Sequence, residues 1–268
     1  MSGFSADWLA LREPFDLAAR SDAVEQTFIA ALPSPDKATL LDLASGAGST
    51  VAALSGKLPS RQTWILTDND PGLLGHARAR FGQPGSGIAR LECVETDLSR
   101  ELEQLDFDGV DGVTTSAFLD LVTEDFIEGL VKKLVASGKP FLASLSYDGR
   151  AVCDPMDRLD DTIRQAMNRH QQTDKGFGAA LGPFAWSRAA ELLKQAGYRV
   201  TVAASDWVAG PDSNSFQKEL LAGWLEAAAE MGIDQLELER WRERRLAEIE
   251  GNALKLEVGH QDLCAIPA

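Results

Sequence analysis

From Thr39 onward, short apolar runs alternate with longer segments in which apolar residues recur every three or four positions. The longer segments predict helices, including 71–80, 123–135 and 183–196. The short runs predict seven strands, over 39–44, 62–68, 89–96, 109–115, 139–147, 198–206 and 254–266. This alternation predicts an α/β fold in which helices cover both faces of a mostly parallel sheet.

The N-terminal segment, residues 1–36, reads differently and predicts helices without strands. Trp8, Leu11 and Phe15 recur at helical spacing, and Pro14 predicts a break within this helical region. Most of its charged residues, among them Arg12, Asp16 and Arg20, lie off that apolar face.

Two later segments interrupt the strand–helix alternation and predict helical insertions, 150–182 and 211–250. Insertions at strand ends in such a sheet usually form the rim of a ligand crevice. We therefore expect a single domain over 1–268, made of an N-terminal helical lid (1–36), a ligand-binding core (37–149), an insertion (150–182), and the C-terminal part of the sheet (183–268) with the insertion 211–250.

Composition excludes several classes of protein. The 268 residues carry a formal net charge of −15 and no basic run, which argues against nucleic acid as a partner. Cys93, Cys153 and Cys264 are far apart and form neither a CxxC pair nor a metal-binding cluster. No apolar run approaches membrane-spanning length, and acidic residues near the N-terminus fit no targeting signal. We expect a cytoplasmic protein without a bound metal and without a membrane partner.

The most informative stretch is a glycine-containing loop that follows the first predicted strand. It reads Asp42-Leu43-Ala44-Ser45-Gly46-Ala47-Gly48, and helix-compatible sequence follows it. Glycines allow a ligand to approach the backbone closely. Asp68 ends the next strand, where nucleotide-binding folds place an acid against a ribose. The pattern therefore predicts a nucleoside-containing cofactor.

Two common nucleotide motifs do not fit this loop. A dinucleotide fingerprint requires a third glycine where Val51 stands, and its first glycine position is occupied by Ala44. A P-loop requires a Gly-Lys-Ser/Thr sequence, which does not follow. The loop instead resembles motif I of the class I S-adenosylmethionine-dependent methyltransferases, although that family usually has glycine at the position of Ala44.

Three further segments resemble motifs of the same family, in the family's order. They are Thr67-Asp68-Asn69-Asp70-Pro71, Glu95-Thr96-Asp97-Leu98 and Asp111-Gly112-Val113-Thr114-Thr115-Ser116. The resemblance implies a Rossmann-like, seven-stranded, mostly parallel sheet with an antiparallel last strand. It also implies that S-adenosylmethionine is the cofactor and that the following residues bind it: Asp42, Ala44, Ser45, Gly46, Gly48, Asp68, Asn69, Asp97, Leu98 and Ser116.

In the family, the acid that ends strand two holds the ribose hydroxyls, which is the role implied for Asp68. Asp97 would contact the adenine amino group, or it could cap a following helix instead. Asp70 is expected to be the N-cap of helix 71–80. Arg20 could reach the carboxylate of the cofactor from the lid, or it could form an ordinary surface ion pair.

No motif identifies a general base for methyl transfer. The candidates are His170 in a polar run that turns into glycines, Tyr147 at the end of the fifth strand, and His260 at the start of the last strand. Each has a structural alternative: a loop residue for His170, a turn for Tyr147, and a buried pair with Asp262 for His260. The tryptophans of the insertions are expected mainly to pack helices onto the sheet.

Together these features predict an S-adenosylmethionine-dependent methyltransferase that acts on a small organic acceptor, as a monomer or homodimer. Two alternatives remain open at this point. One is a non-catalytic binding or regulatory protein on the same fold. The other is a different nucleotide-cofactor enzyme, such as an aminopropyl transferase or, less consistent with Val51, a nicotinamide oxidoreductase.

Overall fold

The computed structural model describes residues 5–83 and 85–268; residues 1–4 of the predicted lid and Pro84 lie outside the described residues. Along the described chain, helices and strands alternate as predicted. The helices are α1 (Ala6–Ala19), α2 (Asp22–Ala30), α3 (Ser49–Leu54), α4 (Pro71–Phe81), α5 (Leu98–Glu101), α6 (Glu124–Ser137), α7 (Asp160–Gln171), α8 (Ala185–Gln195), α9 (Asn214–Glu230) and α10 (Gln235–Glu250).

The strands are β1 (Lys37–Leu43), β2 (Arg61–Asp68), β3 (Ile88–Glu95), β4 (Gly112–Ser116), β5 (Phe141–Asp154), β6 (Tyr198–Ala204), β7 (Trp207–Ala209) and β8 (Lys255–Pro267). They form one sheet in the order β3-β2-β1-β4-β5-β8-β6. β1 to β5 are parallel, and β8 runs antiparallel to β5 and β6. The predicted Rossmann-like sheet with an antiparallel last strand is confirmed, and the short β7 is an eighth strand that the sequence did not indicate.

Two hydrophobic clusters cover the faces of the sheet. Val24, Phe28, Val51 and Leu74 belong to the cluster that packs α2, α3 and α4 on one face. The other cluster packs α6 and α8 against β4 and β5. Such double-sided burial is why the parallel strands are nearly continuous apolar runs in the sequence.

A third hydrophobic cluster lies between the predicted insertions and the N-terminal helix. Its buried residues come from α7, α9 and α10, and Trp8, Leu11 and Phe15 of α1 pack against it. Phe15 stacks on Phe216 of α9 with ring centroids 3.9 Å apart. The tryptophans at 207, 224 and 241 are buried in this cluster, so they pack helices as expected. The insertions and the N-terminal segment thus form one helical layer.

The predicted break at Pro14 is wrong, because α1 continues through that residue from Ala6 to Ala19. A proline inside a helix removes one backbone hydrogen bond and strains the preceding turn. Contacts on both sides of it hold the helix in place: Trp8 and Phe15 both stack on Phe216. Tertiary packing therefore outweighs the local effect of the proline.

The predicted boundary at residue 150 is also wrong, because β5 continues to Asp154. Beyond the parallel part of the sheet, β8 supplies the partner for this extension, with Asp154 opposite Lys255. The insertion therefore begins after a long two-stranded ribbon. No helix among the described residues is long and apolar enough to cross a membrane.

Candidate functional site

The strand order reverses between β1 and β4. From β1 the chain continues to β2 and β3 on one side of the sheet, and it then returns to β4 and β5 on the other side of β1. Ligands of open α/β sheets bind at this reversal, beyond the carboxyl ends of the strands. The glycine loop leaves β1 at this point, and Ser116 ends β4 beside it. The predicted motif I residues and the predicted strand-four residue are therefore brought together.

The backbone at this edge contains strained positions. Ala44 has a φ of +51°, a left-handed conformation that costs an L-residue roughly 1–2 kcal/mol. This is the position at which glycine was expected, so the alanine keeps the glycine-like backbone. Ala117 after β4 and Leu145 in β5 also have positive φ, at +50° and +57°. Strain of this kind is concentrated at functional sites in many proteins.

Gly46 and Gly48 also adopt left-handed conformations, at φ +54° and +88°. A methyl group added to Gly48 would lie 2.8 Å from Phe81 Cε2, so this position has no room for a side chain. At Gly46 the added methyl would lie 3.7 Å from Leu9 Cδ1 of α1. Helix α1 therefore passes directly over the glycine loop.

Asp68 ends β2 and holds the loop in its conformation. Its Oδ2 accepts a hydrogen bond of 2.8 Å from Gly46 N–H, and its Oδ1 accepts one of 2.9 Å from Asp70 N–H. Burial raises the pKa of the Asp68 carboxyl above its ordinary value. Asp70 is the N-cap of α4 as predicted, accepting from Gly72 and Leu73 N–H.

The residues predicted to contact adenine lie at the ends of β2 and β3. A cavity of about 450 Å³ is lined by Asn69, Glu95, Thr96, Asp97 and Glu101. Asp97 caps the short α5, with Oδ1 accepting from Ser99 N–H at 3.1 Å. The capping alternative is therefore what the structure shows for Asp97. Leu98 is buried behind the cavity.

Asp42 lies at the end of β1 and is fully buried. Thr114 Oγ1 donates a 2.6 Å hydrogen bond to its Oδ1, while Oδ2 has no hydrogen-bond partner among the described residues. Burial raises the pKa of Asp42 to about 6. A buried carboxylate oxygen without a partner is costly unless a ligand supplies one.

Arg20 follows α1 and is 8% exposed. Its Nη2 donates to Ser116 Oγ at 2.9 Å, and its Nη1 lies 3.8 Å from Glu25 Oε1. Neither Nε nor Nη1 has a hydrogen-bond partner. The positive charge of Arg20 lowers the pKa of Asp42, which offsets part of the effect of burial. The surface ion pair considered for Arg20 is therefore wrong.

Arg12 and Asp16 are further buried charges of α1 that the sequence analysis did not select. Arg12 Nε donates to Asp16 Oδ2 at 3.0 Å, and Trp207 Nε1 donates to Asp16 Oδ1 at 3.0 Å. With Arg20, they recur every four residues, so they share one face of the helix. That spacing was a readable signal, but it does not reveal whether the face is buried.

Two of the three catalytic candidates lie opposite each other on β5 and β8, just beyond the part of β5 that pairs with β4. The rings of Tyr147 and His260 are 6.1 Å apart, and His260 lies 4.5 Å from the Trp207 ring. Tyr147 donates from its hydroxyl to Asn168 Oδ1 at 2.8 Å, and burial raises its pKa. Burial lowers the pKa of His260 to about 4, so its ring is neutral at pH 7.

His260 does not pair with Asp262, contrary to the structural alternative. Asp262 Oδ1 accepts from Leu145 N–H and its Oδ2 accepts from Ser21 N–H, both at 2.8 Å. A bulge in β5 between Ala143 and Ser146 directs the Leu145 N–H to Asp262. Asp262 therefore ties the α1–α2 connection to β8, next to Arg20.

The third candidate, His170, lies at the end of α7. Its Nε2 is 2.9 Å from Glu230 Oε2 at the end of α9, and Lys175 Nζ is 3.3 Å from its Nδ1. These contacts connect the helical insertions. A catalytic role for His170 stays a prediction.

Metal-binding clusters of three or more His, Cys, Asp or Glu residues are absent from the part of the chain that the structure describes. Cys153 and Cys264 are buried, Cys93 is half-buried, and all three are free thiols. Burial raises the pKa of each thiol, which keeps it protonated and unreactive at neutral pH.

No family model matches the sequence, and no curated protein matches it. Solved structures do resemble the fold. A cyclopropane-fatty-acyl-phospholipid synthase-like protein from Lactobacillus casei is 13% identical, with a TM-score of 0.56 over 98% of this chain and 95% of that chain. A cyclopropane synthase from Mycobacterium tuberculosis is also 13% identical, with a TM-score of 0.53 over 98% and 94%.

A third structure is an S-adenosylmethionine-dependent methyltransferase from Thiobacillus denitrificans, solved with S-adenosyl-L-homocysteine. It is 14% identical, with a TM-score of 0.50 over 99% of both chains. At such low identity the likeness concerns the fold, and it extends over nearly the whole chain. The protein therefore has the Rossmann-like fold that these methyltransferase structures share.

Proposed function

We propose that the protein is an S-adenosylmethionine-dependent methyltransferase that acts on a small organic acceptor. One observation carries this proposal. Beside the glycine loop, Arg20 Nε, Arg20 Nη1 and Asp42 Oδ2 are buried and have no hydrogen-bond partner among the described residues, and Arg20 Nη1 has only the 3.8 Å contact with Glu25 Oε1. A ligand that carries both an anionic acceptor and a cationic donor would satisfy these atoms.

The amino-acid end of S-adenosylmethionine carries both charges. Its carboxylate would accept hydrogen bonds from Arg20 Nε and Nη1, and its ammonium would donate to Asp42 Oδ2. A nicotinamide dinucleotide has no such group, so this pair favours the sulfur nucleoside. Aminopropyl transfer uses the decarboxylated nucleoside, which would leave Arg20 without a carboxylate to bind.

The remaining parts of the cofactor match neighbouring residues. Asp68 retains free lone pairs on both carboxylate oxygens, so it can accept from two ribose hydroxyls in addition to Gly46 and Asp70. The cavity lined by Asn69 and Asp97 is the place proposed for the adenine. When bound, the cofactor supplies an electrophilic methyl group. The protein then contributes mainly by positioning the acceptor and excluding water.

Helix α1 supports this assignment because it covers the site. Leu9 lies over Gly46, Arg20 reaches Ser116, and Asp16 is bonded to Trp207. The helix therefore spans the sheet edge from the glycine loop to the helical insertions. We propose that the lid function predicted for residues 1–36 belongs to α1, which covers cofactor and acceptor, whereas α2 packs on the sheet.

Calorimetric titration with S-adenosylmethionine, S-adenosylhomocysteine and NAD(H) tests the proposal. We expect micromolar binding of both sulfur nucleosides and none of NAD(H). Gly46→Val should abolish binding, because a β-branched residue is strongly disfavoured at a φ of +54°. Gly75→Ala is the control, since an added methyl there contacts nothing within 4 Å.

Turnover is a separate measurement, because binding alone also fits a non-catalytic protein. Release of S-adenosylhomocysteine would be followed with a panel of small amines, phenols and carboxylates as methyl acceptors. Binding of NAD(H) in place of the sulfur nucleosides would contradict the proposal. Binding of the nucleosides without turnover of any acceptor would favour the non-catalytic alternative.

A further inference from the structure

The buried charges of α1 divide between two halves of the site. Arg20 lies against Ser116 and Asp42, where the cofactor is proposed to bind. Asp16 lies one turn earlier and Arg12 two turns earlier, against Trp207 and close to His260. We call the second half the acceptor end. It lies beyond the carboxyl end of β4, where β5 continues past its pairing with β4.

Asp120 is the residue of the acceptor end whose hydrogen bonding is incomplete among the described residues. It follows β4 by four residues and is only 6% exposed. Backbone N–H groups of Asp120 and Tyr147 lower its pKa, but burial has the larger effect and raises it to about 6. Its Oδ1 has no hydrogen-bond partner. At pH 7 the carboxylate is therefore mostly ionised and incompletely bonded.

The cations nearby offset only part of the charge of Asp120. The positive charge of Arg12 lowers the pKa of Asp120, but Arg12 is also ion-paired with Asp16, so one cation faces two carboxylates. Beyond His260, Arg150 forms ion pairs with both Asp148 and Asp206. One positive charge there faces two negative charges, so the group has a net charge of about −1. The acceptor end is therefore net negative.

Its neutral groups also offer acceptors. His260 Nδ1 lies 3.0 Å from Val258 O, and because a carbonyl only accepts, Nδ1 carries the proton. The Nε2 of the neutral ring is then left with a lone pair. Tyr147 directs its hydroxyl proton to Asn168 and presents its ring to His260. A ligand with several N–H donors and a positive charge complements this arrangement.

We propose that the acceptor end binds a small amine as its ammonium ion, which donates to Asp120 Oδ1. Before methyl transfer the ammonium would give one proton to the Asp120 carboxylate, which frees the nitrogen lone pair. This inference rests on the proposed function, because it names the class of methyl acceptor for the same site. To bind a carboxylate ligand, Arg12 would have to give up its ion pair with Asp16. Asp16 would then keep only its hydrogen bond from Trp207 Nε1. An amine leaves the Arg12–Asp16–Trp207 contacts intact.

Ligand pairs that share one hydrocarbon group and carry opposite charges test the inference in the unmodified protein. The protein is first saturated with S-adenosylhomocysteine. It is then titrated calorimetrically with 2-phenylethylamine and with 3-phenylpropionate, and in a second pair with butylamine and pentanoate. We expect the amine of at least one pair to bind tighter by about tenfold or more, since a charge-assisted hydrogen bond is worth roughly 1.5–3 kcal/mol.

The Asp120→Asn variant assigns the effect to one carboxylate. It should lose the preference for amines while its affinity for S-adenosylhomocysteine is unchanged. Asp22→Asn is the control, because Asp22 is an exposed carboxylate of α2 that pairs with Lys57 and is not among the charges of the acceptor end; it should keep the preference.

Equal or tighter binding of the carboxylates would overturn the inference and would assign ligand recognition to Arg12. Retention of the amine preference in Asp120→Asn would also overturn it, as would failure of both amines to bind the saturated protein. Failure to bind S-adenosylhomocysteine at all is a different result, because it would refute the proposed function itself.

Discussion

Arg20 donates from Nη2 to Ser116 Oγ at 2.9 Å, although the two residues are 96 positions apart in the chain. This hydrogen bond joins the end of α1 to the end of β4. It holds a guanidinium at the sheet edge with Nε and Nη1 still unpartnered. The end of α1 and the end of β4 are therefore joined by this charged side chain.

Arg20→Met should weaken binding of S-adenosylhomocysteine by roughly ten- to a hundredfold, because about 1.5–3 kcal/mol of charge-assisted hydrogen bonding is lost. Methylthioadenosine has no amino-acid end, so its affinity should stay within about twofold of the unmodified protein's affinity. Calorimetry with both ligands makes the comparison. An equal loss for both ligands would mean that Arg20 supports the site without contacting the carboxylate.

Asp68→Asn should weaken both of these ligands together, because it acts on the ribose that they share. We expect a loss of about 1.5–3 kcal/mol in each binding free energy. The control is Asp70→Ala, two residues away, which removes the N-cap of α4. That variant should lose about 0.5–2 kcal/mol of folding stability with nucleoside affinity unchanged. Normal nucleoside binding by Asp68→Asn would contradict the ribose assignment.

The Asp42 carboxyl should make the stability of the ligand-free protein depend on pH. Its pKa is about 6 in the folded state, against an ordinary value of 3.8 for an aspartate carboxyl. Between these values the folded state binds more protons than the unfolded state, so this group's contribution to stability falls as pH rises. Asp42→Asn removes the contribution.

As the pH rises from 4.5 to 7, the free energy of unfolding of the variant should therefore rise relative to that of the unmodified protein, by about 1–3 kcal/mol. Urea unfolding of both proteins at the two pH values measures the difference. A difference in unfolding free energy that is independent of pH would show that Asp42 titrates normally. Asp22→Asn should show the opposite trend, because Lys57 lowers the pKa of Asp22.

Asp16→Ala should loosen α1 from the rest of the molecule. Arg12 loses its carboxylate partner, and Trp207 Nε1 loses its acceptor, both in buried surroundings. Breaking a buried ion pair in this way costs about 3–5 kcal/mol. Hydrogen exchange of the α1 amides should become faster than that of the sheet amides.

Glu13→Ala is the matched control for this variant. Glu13 lies on the same helix and pairs with Arg80, but that pair is more exposed. Its loss should cost no more than about 1 kcal/mol. If the α1 amides exchange equally fast in Asp16→Ala and Glu13→Ala, the Arg12–Asp16–Trp207 contacts do not hold the lid.

Local sequence patterns predicted the sheet, and they placed the glycine loop and its neighbouring acids at the ends of strands. A strand that ends in Asp42, a loop containing Gly46 and Gly48, and Asp68 one strand later are all encoded within short stretches. The N-cap role of Asp70 was predicted for the same reason, since capping depends on residues two or three positions apart.

The errors came from long-range packing. Pro14 did not end α1, because Phe216 holds the helix on both sides of the proline. His260 did not pair with Asp262, because a bulge in β5 supplied Asp262 with a different donor. A helix or strand pattern contains no information about which distant backbone group will arrive beside it.

The sequence by itself determined which segments form the parallel strands, where the glycine loop lies and which acids border it, because these depend on periodicity and local hydrogen bonding. Only the tertiary structure decided that Arg12, Asp16 and Arg20 are buried. The same four-residue spacing fits a solvated helix face equally well. Burial followed from the docking of α1 onto Phe216 and Trp207, about 200 positions further along the chain.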